Sequence, residues 1–269
     1  MKRPFSLLAS LSLVALSIAA FGSQAAAETI QSRIFSSDDP KFEWKTVKLP
    51  NGQTGTYTLG VGSGAFRHRN DPPNVVWTIG DRGPNMTCGE APGILGDEIA
   101  QACRKLSNGR IYPTPDYVPS IYKLELDRDK GTFKLLETIP LRKAKSGATI
   151  TGLLNPQTKA SKDTGMDLAG NVLPDDPDNI DLEGIVRLSD GTFWVGEEMG
   201  PSIAHLSADG RILERHVPVD AAADYKNAEA KIVADLPAIL SKRQGNRGIE
   251  GTAIAPDEAF LCFMGQNPL

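Results

Sequence analysis

This chain of 269 residues contains few histidines and few cysteines, and its basic residues do not outnumber its acidic ones. It contains three histidines and three cysteines, and its 33 acidic residues outnumber its 29 basic ones, which gives a formal net charge of −4. A chain with this charge has little attraction for the phosphate backbone of nucleic acids. Nucleic acid is therefore not expected as a partner.

Several catalytic motifs are also missing. The sequence has no GxSxG nucleophile elbow, no HExxH zinc motif, no CxxC pair and no GxxxxGK phosphate loop. These motifs are the common signatures of serine hydrolases, zinc proteases, thiol oxidoreductases and P-loop proteins. The three histidines lie in dissimilar contexts, so a serine triad is not expected. His205 alternates with apolar residues, which indicates a structural role, and His68 lies in a polar loop.

The N-terminus has the pattern of a secretory signal peptide. Lys2 and Arg3 precede an uncharged apolar run over residues 7–21, and three alanines at 25–27 form an AxA-type cleavage site. About fifteen apolar residues are too few for a typical transmembrane helix. The sequence predicts a signal peptide over residues 1–27, a mature domain over residues 28–269, and a periplasmic or secreted location without membrane attachment after cleavage.

The cysteines predict one disulfide. Cys88 and Cys103 flank a short loop, and an oxidising compartment favours closure of such a loop by a disulfide, although both thiols could also stay free. Cys262 lies inside the apolar run Phe260 to Met264. We expect its side chain to be buried as a small hydrophobic residue.

Strand signals predominate along the chain. Short runs rich in valine, isoleucine and aromatic residues are bounded by Gly, Pro, Asn or Asp, which is typical of β-strands. They cover residues 75–79, 121–126, 133–139, 185–188 and 193–195. Helical periodicity is weak everywhere except about Asn227 to Lys242, in a connection. The sequence predicts an all-β fold.

An internal repeat refines this prediction. The segments Ser63 to Phe66, Glu183 to Val186 and Glu250 to Ala253 align, and about ten residues after each comes a second strand that ends in a Gly/Pro or Asn-Pro loop. A third and a fourth strand follow in the first two copies, joined by turns over 127–131 and 207–210 that suit tight hairpins. We interpret each copy as a four-stranded antiparallel blade of a β-propeller-like array.

About two and a half such blades are present, whereas a closed propeller typically needs four to eight. We therefore expect the chain to be part of a longer propeller. The alternative is an open repeat protein with an unprotected last strand. Residues 90–119 and 143–180 are interpreted as long insertions between blade strands.

The inner strands carry a repeated acidic motif. Asp181 and Glu183 flank Leu182, and in an extended segment two residues that are two apart face the same way. Glu250 occupies the position of Glu183 in the next copy, so the repeat predicts that their carboxylates converge at one end of the array. Converging carboxylates repel one another unless a metal ion or a proton lies between them.

The loops after the second strands add further charged side chains to this end. Together the residues form a predicted acidic cluster of metal ligands: Asp81, Asp181, Glu183, Glu198 and Glu250. The predicted catalytic residues are Glu183, Glu250, Glu197, Arg82 and Arg247. Carboxylate oxygens suit calcium, with magnesium as the alternative. The competing interpretation is that these residues are solvated charges or caps on turns. The acidic run over 175–178 lacks the glycine and distal glutamate of an EF-hand and is interpreted as a polar loop.

Taken together, these segments resemble a known family. Residues 76–85, 181–185, 196–201 and 246–251 are similar to the phytase-like, or "esterase-like activity of phytase", domain of exported bacterial proteins, over about Gly60 to Leu269. The resemblance implies phosphoester or phosphodiester hydrolysis that depends on the repeated acidic residues. It also implies a domain that continues beyond the segment matching residues 267–269.

Three functions remain open at this point. A metal-assisted phosphoester hydrolase would use the acidic cluster to hold the cation and the arginines to bind a small anionic ester. A calcium-dependent lactonase or carboxylic esterase would use the same carboxylates on a neutral substrate. A non-catalytic propeller would bind a ligand or partner and use calcium for stability alone. Arg82 and Arg247 favour the anionic substrate, and the lack of an obvious general base favours the binding module.

Overall fold

The computed structural model describes residues 32–106, 108–156 and 162–268. The predicted signal peptide lies outside these residues. In the described part of the chain, no helix has both the length and the apolar character that a bilayer crossing requires. The architecture below belongs to the unit that begins at Ile34.

Strands dominate the described residues, which confirms the all-β prediction. The strands are β1 Glu43–Lys48, β2 Thr54–Thr58, β3 Gly64–Phe66, β4 Val75–Ile79, β5 Met86–Thr87, β6 Gly109–Ile111, β7 Ser120–Asp127, β8 Thr132–Pro140, β9 Thr164–Met166, β10 Leu182–Arg187, β11 Phe193–Glu197, β12 Ser202–Leu206, β13 Ile212–Pro218, β14 Lys231–Leu236, β15 Ile249–Ile254 and β16 Leu261–Gly265. Two short helices, α1 Ala91–Leu95 and α2 Asp97–Lys105, and three 3-10 turns, Pro40–Phe42, Ala222–Tyr225 and Ala238–Lys242, complete the secondary structure.

The three copies of the repeat form three separate sheets. The first copy gives the antiparallel sheet β3-β4-β7-β8, and the second gives β10-β11-β12-β13, to which β14 adds in parallel. The third copy gives the antiparallel pair β15-β16. The predicted strand order within each copy is therefore confirmed. No sheet among the described residues closes on itself, and the arrangement of the sheets as propeller blades stays a prediction.

Both predicted hairpin turns are present. Asp127 Oδ1 accepts hydrogen bonds from the backbone N–H groups of Asp129 and Lys130, and Gly131 follows with φ +68°. Gly210 closes the second turn with φ +83°. This left-handed conformation costs a glycine little, which explains why the turns end in glycine.

The main core lies between the first two sheets. Ile79 and Ile121 from the first sheet pack with Leu182, Ile185 and Val195 from the second, and all five side chains are buried. The inner strand β10 lies beside both β3 and β15. The three inner strands are thus neighbours, which brings their equivalent ends together.

Glycine allows the inner strands to approach closely. A Cβ built on Gly184 would lie 2.9 Å from the backbone nitrogen of Thr252 on β15. We expect Gly184→Ala to push β10 and β15 apart and to lower the free energy of unfolding by about 1–3 kcal/mol. Gly251 holds the same position in the third copy, and no heavy atom lies within 4 Å of a Cβ built there.

Gly251→Ala is therefore the matched control, with an expected change within about 0.5 kcal/mol. Denaturant unfolding of the two variants measures the difference. Equal stability of the two variants would contradict the close contact between β10 and β15.

The two long insertions form a second, smaller layer. They supply α1, α2, β6 and β9, and these last two strands form a sheet with β5; the core of this part includes Leu95, Ile99 and Met166. The predicted disulfide between Cys88 and Cys103 is present, with a Cα–Cα distance of 5.2 Å. It joins the segment after β5 to α2. The two helices were not predicted, because each is too short to show a clear period.

Two local predictions are wrong. The segment from Asn227 to Lys242 is not helical, since it forms β14 and then a 3-10 turn that follows Pro237. The β-branched pair Ile232 and Val233 favours a strand, and Pro237 ends it. Cys262 is exposed, because β16 belongs to a sheet of two strands and only its Leu261 and Phe263 side pack against the core.

Candidate metal centre

A tight turn after β4 brings Asp81 to the end of the sheet. A Cβ at Gly80 would lie 2.1 Å from the carbonyl oxygen of Gly60, so the backbone passes where only glycine fits. Asp81 Oδ1 then accepts a hydrogen bond from the N–H of Gly83 at 2.6 Å. Gly83 has φ +89°, which lets the chain turn back beneath the carboxylate.

The predicted pair on β10 lies next to this turn. Leu182 is fully buried in the core, while Asp181 and Glu183 direct carboxylate oxygens toward Asp81. One oxygen from each of these three carboxylates lies within 4.8 Å of the other two. The alternation of side chains along an extended segment explains this arrangement. The three residues form a group that could hold a metal ion.

Glu183 shows how strongly the carboxylates influence one another. Burial raises its pKa to about 8, and the neighbouring charges of Asp181, Glu198, Glu250 and Asp81 act in the same direction. The other four predicted metal ligands therefore all raise the pKa of Glu183. A carboxyl group in this setting gains from a proton or a cation that offsets the repulsion.

Glu198 and Asp81 respond in the same way. Burial raises the pKa of Glu198 to about 7, with further contributions from Asp181 and Glu250 that outweigh the opposing arginines. The pKa of Asp81 is also raised, first by burial and then by Asp181. One oxygen of Glu250, Oε2, is buried and has no hydrogen-bond partner. An oxygen-rich set with an unsatisfied buried acceptor fits a hard cation such as Ca²⁺ or Mg²⁺.

Two arginines lie against these carboxylates. Arg82 is buried, with Nη1 3.3 Å from Asp181 Oδ2 and with Nη2 donating to Asn246 Oδ1 at 2.7 Å. Its Nε and Nη1 atoms make no hydrogen bond. Arg247 is 41% exposed and places Nη1 3.5 Å from Glu198 Oε1. The site therefore presents one buried and one accessible guanidinium beside the acidic cluster.

Glu197 has different surroundings from Glu198. Its side chain is 0% exposed, and its Oε2 accepts a hydrogen bond from Nη2 of Arg215, which is 1% exposed, at 2.9 Å. It also accepts hydrogen bonds from the N–H of Gly200 and from Ser202 Oγ. The structure thus surrounds this predicted catalytic residue with partners inside the second sheet, whereas Glu198 belongs to the acidic cluster.

Asn246 was not predicted and takes part in the site. It has φ +55°, a left-handed conformation that asparagine tolerates better than most residues. Its side chain binds Arg82, and its carbonyl oxygen accepts a hydrogen bond from Arg247 Nη1 at 2.7 Å. The sequence Asn-Arg-Gly just before β15 is the only signal that could have pointed to it.

The other candidate residues lie elsewhere. His205 stacks on Trp194 with ring centroids 4.6 Å apart, in agreement with a structural role. His68 is buried, and its Nε2 lies 3.1 Å from Glu258. In the predicted polar loop, Asp176 accepts hydrogen bonds from Thr151 and is buried. These residues stabilise the fold and its connections.

Comparison with known proteins now gives the family. The family model "Phytase-like: Esterase-like activity of phytase" matches residues 103–269, and the chain belongs to this family. The matched region contains four members of the acidic cluster but neither Asp81 nor Arg82, which precede it.

Individual relatives give less information about this chain than the family model does. A protein of Arthroderma benhamiae named "Uncharacterized secreted protein" is 33% identical over an alignment of 103 residues, and the match covers 34% of this chain and 20% of that protein. The chain thus spans a fifth of the length of this curated relative. A solved structure titled a "putative 6-phosphogluconolactonase" from Bacteroides uniformis is 13% identical and covers 80% of this chain and 54% of its own, with a TM-score of 0.28. A TM-score this low carries no argument.

Proposed function

We propose that this domain is a cation-dependent hydrolase of small phosphoesters that acts outside the cytoplasm. The observation that carries the proposal is the convergence of Asp81, Asp181 and Glu183 within 4.8 Å, beside Arg82 and Arg247. Membership of the phytase-like family and the N-terminal signal pattern support the same conclusion.

The five carboxylates of the acidic cluster would hold the cation. A bound Ca²⁺ or Mg²⁺ supplies polarisation of a phosphoryl oxygen and a lower pKa for a bound water. Without the cation, burial raises the pKa of Glu198 to about 7, and a bound cation would favour its charged form.

The arginines decide which ester fits. Arg247 is accessible and planar, so it is able to bind two oxygens of one phosphate. The buried Nε and Nη1 atoms of Arg82 have donors to spare. Both arginines also face a carboxylate of the cluster, Asp181 for Arg82 and Glu198 for Arg247, and a neutral lactone or carboxylic ester would offer their N–H groups no charged oxygen in addition. This argument favours a small anionic ester as the substrate.

A second function is a non-catalytic domain in which the cation only stabilises the fold. The burial of Asp181, which is 1% exposed and bound to Arg82, favours this alternative. Both functions use the same cation site, but only the hydrolase would turn over a phosphoester.

A thermal melt with added calcium tests the cation site. Protein freed of metal with a chelator should melt about 5–10 °C higher at a calcium concentration of roughly 100 times the dissociation constant, because the ion binds only the folded form. Hydrolysis of phosphomonoesters and phosphodiesters is then measured with calcium, with magnesium and with chelator. Metal-dependent turnover supports the hydrolase. A raised melting temperature without turnover supports the structural cation, and no rise with either ion contradicts both.

A further inference from the structure

A cleft lies between the segment that follows β13 and the 3-10 turn Ala238–Lys242. Its volume is about 350 Å³, which is within the usual range for small-molecule sites. Pro201, Pro218 and the buried ring of Tyr225 form an apolar wall. We call it the Arg243 cleft, after the buried arginine that lines it.

Arg243 differs from the other buried arginines of the described chain. Arg82 lies beside Asp181, and Arg215 lies beside Glu197. Arg243 is 7% exposed, yet no carboxylate oxygen of the described residues lies within 4.0 Å of its guanidinium, and its Nε reaches only the carbonyl oxygen of Glu198 at 3.5 Å. A buried charge without a close partner is costly. An anion in the cleft would remove that cost.

A second basic side chain lies beside Arg243. Lys242, the preceding residue, is exposed and lines the same cleft. Two basic side chains that are adjacent in sequence thus line the cleft.

Acidic side chains line the same cleft. Asp220 accepts a hydrogen bond from Ser241 Oγ at 2.6 Å, and Asp224 also lines the cleft. Carboxylates accept hydrogen bonds from hydroxyl groups and repel anions. The cleft therefore offers basic groups suited to an oxyanion together with carboxylates suited to hydroxyl groups.

We propose that the Arg243 cleft binds a small hydroxylated oxyanion, with Arg243 and Lys242 on the oxyanion and with Asp220 and Asp224 accepting hydrogen bonds from its hydroxyl groups. The oxyanion is a phosphate or a carboxylate. The cleft is lined by none of the five carboxylates of the acidic cluster, and the proposal does not depend on the proposed hydrolysis.

Titration calorimetry in the presence of a chelator tests the proposal, because the chelator keeps any metal of the acidic cluster from binding the probes. The probes are inorganic phosphate, glycerol 3-phosphate and glycerate. We expect saturable binding of at least one of the hydroxylated anions. Tighter binding of glycerol 3-phosphate identifies a phosphate site, and tighter binding of glycerate identifies a carboxylate site.

Variants locate the binding. Arg243→Met should weaken it about tenfold or more, because a charge-assisted hydrogen bond is lost. Lys242→Gln should weaken it severalfold, and this exposed substitution keeps the test valid if Arg243→Met does not fold. Lys226→Gln removes the same charge from an exposed lysine outside the lining and should change nothing.

Two results would overturn the proposal. One is the absence of saturable binding with all three probes well above millimolar concentration. The other is binding that Lys242→Gln and Lys226→Gln weaken equally, since that would show attraction to general positive charge instead of to the cleft.

Discussion

Replacement of Glu197 by glutamine is expected to lower the free energy of unfolding by about 3–5 kcal/mol, because it leaves Arg215 buried without a counter-charge. Both side chains are at most 1% exposed, and they meet at 2.9 Å inside the second sheet. In addition, glutamine has an NH₂ group in place of one carboxylate oxygen. The NH₂ group cannot accept the hydrogen bonds that Gly200 and Ser202 donate to Glu197. Denaturant unfolding at neutral pH measures the loss.

Glu214 provides the matched control, since it is next to Arg215 in sequence but pairs with Lys231 at the surface. Glu214→Gln should cost no more than about 1 kcal/mol. The experiment also separates two roles of Glu197. A Glu197→Gln variant that unfolds like the unmodified protein but loses hydrolysis would show that the residue acts in catalysis and not in stability.

Replacement of Glu183 by glutamine is expected to have the largest effect on function. The variant should lose the calcium-dependent rise in melting temperature and should lower metal-dependent hydrolysis on the order of 100-fold, because one of three converging carboxylates becomes neutral. Without metal it should be no less stable than the unmodified protein, since the raised pKa of Glu183 shows that its negative charge is unfavourable there.

Glu137 serves as the control for this variant. It lies exposed on β8, within the first sheet, and Glu137→Gln makes the same chemical change away from the acidic cluster. Calcium response and turnover should be unchanged. A full calcium response in Glu183→Gln would place the cation elsewhere and remove the basis of the proposed function.

The repeat made most of the strand order predictable. Each copy begins with a glycine-containing inner strand, as at Gly64 and Gly184, and the pattern of alternating side chains fixed which residues of β10 face the core. The helices and β14 had no counterpart in the repeat. The disulfide holds α2, and pairing with β13 holds β14. Local periodicity in the sequence reveals neither contact.

The same distinction applies to the site. Glu183 and Glu250 were predicted because they recur at one position of the repeat, and the structure brings their charges together. Asn246, Arg215 and Arg243 were missed, because each acts through a contact between segments that are distant in sequence. Glu197 was predicted to be catalytic and Glu198 to be a metal ligand, and nothing in the sequence indicated that Glu197 pairs with the buried Arg215.

The adjacency of Glu197 and Glu198 limits how this segment of the chain is able to evolve. One carboxylate meets Arg215 in the interior, and the next meets Arg247 at the acidic cluster. Insertion or deletion of a single residue at the end of β11 would exchange the two directions. Such a change would remove both the partner of the buried Arg215 and the predicted cation ligand Glu198. Length changes in related sequences should therefore accumulate in the insertions and avoid the segment from Gly196 to Gly200.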